Sequence, residues 1–322
     1  MSKPAPLFNR LALIGVGLIG SSIARAARAQ GAAGSIVATA RSAATRKRVA
    51  ELGIANQVVE TNAAAVEGAD LVIICIPVGA SGAVAKEIGP HLAAGATVSD
   101  VGSVKGSVLR DMGPHLPKNV HFIPAHPVAG TEYSGPDSGF AELFVNRWCI
   151  LTPPKGADAK AVEKLAAFWR LLGANVDTMT ADHHDLVLAI TSHLPHLIAY
   201  TIVSTADEMQ TVTQSEVLKF SAGGFRDFTR IAASDPTMWR DVFLANKDAV
   251  LEMLGRFNED ISALTKSIRN GDGKALFEQF TRTRAIRKGI IEIGQDSPAP
   301  DFGRPHPDLN QPLPKPYAAE ED

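Results

Sequence analysis

The 322-residue sequence contains only two cysteines, Cys75 and Cys149, which are too few for a disulfide scaffold. No group of Cys and His residues has the spacing of a zinc site, so we expect no metal. Neither sign of charge dominates, because 32 Lys and Arg face 34 Asp and Glu, for a formal net charge of −2. Binding to the phosphate backbone of a nucleic acid usually requires a basic excess, and its absence argues against a nucleic-acid-binding protein.

Long hydrophobic runs are also missing. Apolar stretches such as residues 71–76 stop far short of the roughly 20 residues that cross a bilayer, and the N-terminus shows no signal-peptide pattern. We therefore expect no membrane association and a reducing, cytoplasmic location. The composition, 45% hydrophobic and 20% charged, is typical of a globular protein, and the length corresponds to about two domains.

Short apolar runs alternate with helical segments in the first half of the chain. The first helix is predicted at residues 18–30. Strands are predicted at residues 11–14, 35–40, 70–76, 97–101 and 121–125. This alternation predicts an α/β fold, with a Rossmann-type, doubly wound, mostly parallel sheet. We expect strands 148–152 and 176–179 and the helix 159–172 to extend the same sheet.

Helical periodicity takes over beyond about Thr180. We predict a Rossmann dinucleotide-binding domain over residues 1–180 and an all-α substrate and dimerisation domain over residues 181–293. Residues 294–322 are rich in proline and poor in apolar side chains, which predicts a disordered tail or a segment draped over a partner subunit.

A G-x-G-x-x-G motif over residues 15–20 follows the first predicted strand and opens the first helix. Gly15 permits a tight turn, Gly17 lets the backbone approach a pyrophosphate, and Gly20 allows close helix–strand packing. The alternative is a glycine-rich turn that binds nothing. The cofactor-binding residues predicted in addition to these glycines are Leu18, Ile19 and Pro77.

The choice between NAD and NADP depends on the end of the second strand. An acidic residue normally binds the adenosine ribose of NAD there, but residues 39–42 contain no carboxylate. Arg41 and Ser42 are instead suited to a 2′-phosphate, which favours NADP. The alternative is that Arg41 stacks on adenine and the site takes either cofactor.

Four polar segments stand out, and two of them follow predicted strands. Ligands of open α/β sheets bind beyond the carboxyl ends of the strands. The segments are DVGSVKG from residue 100, HPVAGTEYSG from 126, SHLPH from 192 and GGFRDFTRIAASDPTMW from 223.

The combination of these four segments, in this order, resembles the prephenate and arogenate (cyclohexadienyl) dehydrogenase family of tyrosine biosynthesis. The similarity runs from about Leu11 to Ile293. It implies oxidative decarboxylation of prephenate and/or arogenate with hydride transfer to NAD or NADP, giving 4-hydroxyphenylpyruvate or tyrosine. It also implies a homodimer formed through the second domain.

The resemblance implies roles for individual residues. His126 matches the catalytic histidine, a residue type suited to accept a proton near neutral pH. Ser103 matches the serine that hydrogen-bonds the reacting hydroxyl, and Arg230 matches the arginine that holds a substrate carboxylate. The further substrate-binding residues predicted are His193, His196, Thr131 and Glu132. His193 and His196 lie three residues apart on one helix face, and the sequence does not choose between them.

Each assignment has a structural alternative. His126 is also compatible with a loop histidine at a strand end. Ser103 is a possible N-cap for a helix that starts near Lys105. Arg230 is able to pair with Asp227 or Asp235 on the helical surface, and Glu132 to be a solvated carboxylate.

Two other features suggest chemistry but are interpreted as structural. His183, His184 and Asp185 resemble a metal cluster, yet adjacent histidines on a helix point about 100° apart. We interpret this segment as the start of the second domain. Cys75 and Cys149 lie in apolar runs and are interpreted as inert packing residues.

Two other functions compete with the leading one. A β-hydroxyacid-type dehydrogenase would use a lysine of the helical domain, for which Lys219 is available, but the surrounding motif does not match. A non-catalytic dinucleotide sensor would leave His126, Ser103 and Arg230 unused.

Overall fold

The computed structural model describes residues 5–131, 133–208 and 222–292. The strands are β1 (Phe8–Ile14), β2 (Ala33–Thr39), β3 (Gln57–Val58), β4 (Leu71–Ile74), β5 (Thr97–Asp100), β6 (His121–Phe122), β7 (Ala125–Pro127), β8 (Trp148–Leu151) and β9 (Asn175–Thr178). The helices of the first half are α1 (Leu18–Gln30), α2 (Ala43–Glu51), α3 (Asn62–Val66), α4 (Ser81–Ile88), α5 (Gly106–Met112) and α6 (Ala159–Leu171).

Every described element from residue 181 onward is helical. These elements are α7 (Ala181–Leu188), a π-helical turn (Ala189–His193), α8 (Leu194–Glu208), α9 (Gly223–Thr229), a 3-10 turn (Arg230–Ala233), α10 (Pro236–Ala245), α11 (Lys247–Arg269) and α12 (Gly273–Glu292).

The first sheet has six strands in the order β3-β2-β1-β4-β5-β6, and every adjacent pair is parallel. The strand order reverses direction between β1 and β4, which makes the sheet doubly wound. All four residues of β4 are buried, as its continuous apolar sequence predicts for a strand covered on both faces. The predicted fold class is confirmed.

Alternate residues of β1 enter two different hydrophobic clusters. Leu11 and Leu13 pack with α1 and with the aromatic residues of α6. Ala12 and Ile14 pack with α4 and α5 on the other face of the sheet. This alternation follows from the two-residue period of a strand, and it leaves only the strand ends open for ligands.

The second sheet was not predicted. β7, β8 and β9 form a separate three-stranded sheet, with β7 antiparallel to β8 and β8 parallel to β9. The expectation that strands 148–152 and 176–179 extend the first sheet is therefore wrong. The physical cause is Pro124, which has no N–H for a ladder and divides the predicted strand 121–125. Its carbonyl instead accepts a hydrogen bond from Thr152 at 2.9 Å.

The predicted domain boundary near residue 180 remains a prediction. The last strand ends at Thr178, but the density of contacts divides the chain into two compact units after Gly255. The predicted tail, residues 294–322, lies outside the described residues.

The helical stretch Ala181–Glu208 is 28 residues long and apolar enough to cross a membrane by length and composition. That criterion alone is weak, because core helices of globular proteins also meet it. The stretch carries fully buried His184 and His193. His184 contacts His126 on β7 of the second sheet, and His193 contacts Asn246.

Candidate active site

The glycine motif forms an open cradle at the carboxyl end of β1. Gly15 has φ of +88°, and a Cβ there would lie 2.4 Å from the carbonyl oxygen of Cys75. A Cβ on Gly20 would lie 2.3 Å from the Gly15 carbonyl oxygen. Gly17, at the N-cap of α1, has open space where its Cβ would be. Apart from the adjoining backbone, no described atom lies within 4 Å of that position, which leaves room beside the N-terminus of α1 for a pyrophosphate.

Three further predicted cofactor residues lie around this cradle. The side chains of Leu18 and Ile19 are half-buried and pack against the core, so their backbone amides are the groups left to meet a ligand. Pro77 is exposed three residues after the end of β4, at the same edge of the sheet.

The N-terminus of α2 follows β2 and carries the predicted selectivity residues. Arg41 and Ser42 are both exposed. Ser42 Oγ caps α2 by accepting a hydrogen bond from Thr45 N at 3.0 Å, and it lies 2.7 Å from Thr45 Oγ1. Arg46 folds back and donates to the carbonyl oxygens of Ala40 and Arg41 at 2.8 and 3.1 Å. This end of the cradle is thus basic.

His126 is buried on β7, just beyond the carboxyl ends of β5 and β6. Its Nδ1 lies 2.8 Å from Nε2 of His184. Within the part of the chain that the structure describes, its other nitrogen, Nε2, has no hydrogen-bond partner. Burial lowers the pKa of His126 well below its ordinary value, and the nearby His184 and Lys105 lower it further. The ring is therefore neutral at pH 7 and able to accept a proton.

The hydrogen-bond chain continues from His184 to Asp185. Nδ1 of His184 lies 2.8 Å from Oδ1 of Asp185. The carboxylate also accepts the N–H groups of Lys105 and Gly106, each at 2.8 Å. Asp185 thereby caps α5 from a segment 79 to 80 residues away. A Cβ on Gly106 would lie 2.9 Å from Asp185 Oδ2, so this approach requires the glycine.

A buried ion pair supports the strand that carries His126. The Lys105 side chain is fully buried, and Nζ donates to Asp100 Oδ2 at 2.5 Å and to the Ala125 carbonyl at 2.7 Å. Asp100 also accepts the N–H groups of Gly102 and Ala125, at 2.8 and 3.3 Å. Burial lowers the pKa of Lys105, and the Asp100 carboxylate opposes that effect.

The structure distinguishes His193 from His196. His193 is fully buried, and its Nδ1 lies 3.1 Å from Nδ2 of Asn246, which also donates to the Asp185 carbonyl. Burial lowers the pKa of His193 to about 4. His196 is only partly buried, and its ring stacks on Trp239 with ring centres 3.7 Å apart.

Arg230 lies near His196, and the rings of His196 and His193 both contact Trp239. Burial lowers the pKa of His196, and the positive charge of Arg230 contributes to that shift. His196 in turn lowers the pKa of His193, and His193 lowers that of His126. The structure therefore brings His126, His193, His196 and Arg230 into one electrostatically connected cluster.

The remaining predicted residues, Ser103, Thr131 and Glu132, are less closely connected to this cluster. Ser103 is half-buried, its backbone faces the His193 ring, and its hydroxyl bonds no described residue. Its interpretation as a helix cap is wrong, because α5 begins at Gly106 without a side-chain cap from its own segment and Asp185 takes that position. Thr131 accepts a hydrogen bond from Tyr133 N at 3.2 Å. Glu132 lies outside the described residues.

Sequence reasoning missed part of this cluster. His184 and Asp185 were interpreted only as the start of a domain, and Lys105 only as the start of a helix. Asn246 was not considered, and Trp239 entered only as the last residue of the fourth segment, without a role. One signal was available: a His–Asp pair lies in the first turns of a helix that begins directly after the last strand.

The remaining expectations concern metals and cysteines. No group of His, Cys, Asp and Glu among the described residues could hold a metal ion. Both cysteines are free thiols, and burial raises the pKa of Cys75 and Cys149. A raised pKa keeps a thiol protonated and unreactive, so the packing interpretation fits.

A glycine cradle and a buried neutral histidine at one edge of a doubly wound sheet define a dinucleotide-dependent dehydrogenase. Comparison with known proteins specifies the family. The nucleotide-binding domain of prephenate dehydrogenase matches residues 23–178, and the dimerization domain of prephenate dehydrogenase matches residues 180–282. The chain belongs to the prephenate dehydrogenase family.

Relatives and solved structures agree with this assignment. The chain is 41% identical to the cyclohexadienyl dehydrogenase of Zymomonas mobilis, over 88% of this chain and 97% of the relative. It is 32% identical to the prephenate dehydrogenase of Bacillus subtilis, over 88% and 76%. The structure of Aquifex aeolicus prephenate dehydrogenase in complex with hydroxyphenyl propionate and NAD+ aligns with a TM-score of 0.81 and 33% identity, over 88% and 98%. The resemblance drawn from the four sequence segments is confirmed.

Proposed function

We propose that the protein catalyses oxidative decarboxylation of prephenate, arogenate or both, with NADP or NAD as the oxidant. The observation that carries the proposal is the buried, neutral His126 at the same sheet edge as the glycine cradle. Neither a β-hydroxyacid-type dehydrogenase nor a dinucleotide sensor is favoured, because the family match covers both halves of the chain. Lys219, on which the first alternative depends, lies outside the described residues.

The reaction needs a base at the ring hydroxyl of the substrate. His126 takes the hydroxyl proton as the carbinol carbon loses its hydride. When the ring carboxylate leaves as CO2, the electrons of the broken C–C bond make the ring aromatic, and His126 returns the proton to the phenolic oxygen. A nicotinamide dinucleotide in the glycine cradle supplies the hydride acceptor. Ser103 is assigned to orient the hydroxyl towards His126.

Arg230 and His196 are assigned to substrate binding. The guanidinium of Arg230 suits a carboxylate because it offers two parallel donors. His196 is partly exposed and lies within the electrostatic reach of Arg230, which favours it over the buried His193 as the histidine that meets the substrate. We assign His193 to the support of Asp185 through Asn246.

The assay follows absorbance at 340 nm with prephenate or arogenate and with each of NADP and NAD. Reduction in at least one of the four combinations is expected, and no reduction in any of them would refute the proposal. His126→Asn should lower kcat by about 10²–10⁴-fold with little change in the Kd of the cofactor. The matched control is His183→Asn on an exposed position of α7, which should leave kcat unchanged.

We infer that the cofactor site prefers NADP. The support is the absence of a carboxylate after β2 and the two arginines, Arg41 and Arg46, at the N-terminus of α2. Ser42 already caps that helix, which leaves Arg41 as the principal candidate for a 2′-phosphate.

The cofactor experiment compares two substitutions that remove the same charge. Arg41→Gln should lower kcat/KM for NADP by about 10–100-fold, as expected for one charge-assisted hydrogen bond, while the value for NAD changes little. Lys47→Gln removes a charge from an exposed side chain of the same helix and should change neither. Equal effects of Arg41→Gln on both cofactors would contradict the preference.

We also infer a homodimer in the cytoplasm. The dimerization-domain match supports the first inference, together with exposed apolar side chains that include Ile190, Ile202, Leu244 and Leu251. The two free thiols fit a reducing compartment. Light scattering should give about twice the 34.0 kDa chain mass. The monomer mass at micromolar concentration would contradict the inference.

A further inference from the structure

Two buried side chains continue from the candidate base as a chain of hydrogen bonds. His126 contacts His184, and His184 contacts Asp185. We propose that His184 and Asp185 are positioning residues that hold His126 in the tautomer with its proton on Nδ1, so that Nε2 accepts the substrate proton. This inference rests on the proposed role of His126 as the base.

Asp185 determines which atom donates at each step of the hydrogen-bond chain. A backbone N–H only donates, and the carboxylate receives two of them, from Lys105 to Oδ1 and from Gly106 to Oδ2. An ionised carboxylate only accepts. The imidazole 2.8 Å from Oδ1 must therefore donate, which places a proton on Nδ1 of His184.

The same argument applies to the contact between His184 and His126. A neutral His184 with its proton on Nδ1 has a lone pair on Nε2. His126 Nδ1 lies 2.8 Å from that nitrogen, so His126 must donate from Nδ1. Its Nε2 then carries the lone pair that a general base needs.

The neutrality of His184 is required for this order. A doubly protonated His184 would donate from Nε2 and force the proton of His126 onto its own Nε2, where it would block catalysis. Burial lowers the pKa of His184, and the charge of Lys105 lowers it further, while Asp185 and Asp100 oppose these effects. The ring itself is fully buried. These groups together favour the neutral ring on which the chain depends.

The chain also stabilises the charge that forms on His126. When Nε2 takes up the substrate proton, the imidazolium donates a hydrogen bond to His184 that is already in place. The negative Asp185 stands one ring farther away. A carboxylate that orients a histidine has the same two effects in a serine protease triad, although there it contacts the base directly.

Two substitutions of His184 separate positioning from packing. In His184→Gln, the side-chain amide oxygen is able to occupy the place of Nε2 and accept the proton of His126 Nδ1. His184→Leu removes the acceptor at similar volume. We expect kcat of His184→Gln to stay within about tenfold of the wild type and kcat of His184→Leu to fall by about 10²–10⁴-fold. KM and the Kd of the cofactor should change by less than about threefold.

Asp185→Asn tests the other end of the chain. The side-chain amide of Asn has nearly the volume of the Asp185 carboxylate, but it has one acceptor and one donor in place of two acceptors. The orientation of His184 is therefore lost. The expected fall in kcat is similar to that of His184→Leu. The matched control is Asp182→Asn, an exposed carboxylate on the first turn of the same helix, which should leave kcat unchanged.

The tautomer itself gives a readout that does not depend on activity. In protein labelled with 15N-histidine, the ring signals of His126 are assigned by their loss in His126→Asn. We expect a protonated Nδ1 and an unprotonated Nε2 in the wild type, and a shift towards Nε2–H in Asp185→Asn. A wild-type His126 protonated on Nε2 would overturn the inference. So would His184→Leu and Asp185→Asn proteins with wild-type kcat and an unchanged tautomer.

The outcomes also separate this inference from the proposed function. If no substrate is turned over but His126 carries its proton on Nδ1, the proposed function fails and the positioning chain stands. If His184→Leu does not fold by circular dichroism, the wild-type spectrum and Asp185→Asn still decide the result.

Discussion

Removal of the buried Lys105 ammonium should destabilise the protein and misplace the candidate base. Lys105→Met keeps nearly the same side-chain length. It leaves the Asp100 carboxylate without its counter-charge and the Ala125 carbonyl without its donor. Both side chains of the ion pair are at least 96% buried, so water cannot replace the lost contacts without opening the core.

The expected magnitude follows from this burial. Breaking a buried ion pair by removing one partner typically costs about 3–5 kcal/mol, because an uncompensated charge stays inside. The double substitution Asp100→Asn with Lys105→Met removes that charge and keeps one acceptor for the two backbone N–H groups that Asp100 binds. Loss of about one hydrogen bond costs about 1 kcal/mol. The double variant should thus be about 2–4 kcal/mol more stable than Lys105→Met alone.

The assay is urea unfolding followed by circular dichroism at fixed protein concentration, since association shifts the apparent stability. Lys86→Met, on an exposed position of α4, is the matched control and should change the free energy of unfolding by less than about 0.5 kcal/mol. The reasoning is refuted if Lys105→Met costs less than about 1 kcal/mol, or if Asp100→Asn brings no recovery. The kcat of Lys105→Met should also fall, because the Ala125 carbonyl directly precedes His126.

Three further predictions follow. Burial lowers the pKa of His193 from 6.5 to about 4. As the pH falls, this histidine is therefore protonated in the unfolded chain before it is protonated in the folded protein. The free energy of unfolding should then drop by about 3 kcal/mol between pH 6.5 and pH 4 through this residue alone; equal urea midpoints at pH 7 and pH 5 would contradict this. Gly106→Ala should lower kcat about tenfold, because its Cβ would displace the Asp185 carboxylate, whereas Gly113→Ala at the other end of α5 meets nothing; equal kcat values for the two variants would refute the displacement. Arg230→Lys should raise KM for the dicarboxylate substrate by about 10-fold with a smaller change in kcat, because an ammonium does not bind a carboxylate bidentately; an unchanged KM would exclude the assignment.

Features with a local signal were predicted well. The helix predicted over residues 18–30 is α1, Leu18–Gln30, because a glycine turn starts it and Gly31, with φ of +66°, ends it. The buried strand β4 follows from its continuous apolar sequence. The break at Pro124 had a local signal as well, and taking it into account would have divided the predicted strand 121–125.

No local signal in the sequence identified which residues of the site hydrogen-bond to each other. The contact between His126 and His184 joins residues 58 positions apart. For His183 and His184, the 100° separation argued against a shared metal. It contained no information about what each ring meets across the fold. Lys105 likewise belongs to a short polar motif, and only the structure shows that its side chain turns inward to Asp100.

The π-helical turn explains why one helical stretch supplies both ends of the cluster. His184 and His193 are nine residues apart, which in a regular α-helix corresponds to about 900°, or opposite faces. A π-helical turn inserts about one extra residue, and the separation becomes about 80°. His193 thereby reaches Asn246, which also donates to the carbonyl of Asp185, the residue next to His184. A helical wheel drawn from the sequence assumes 100° per residue throughout, so it places these two histidines on opposite faces and misses the cluster.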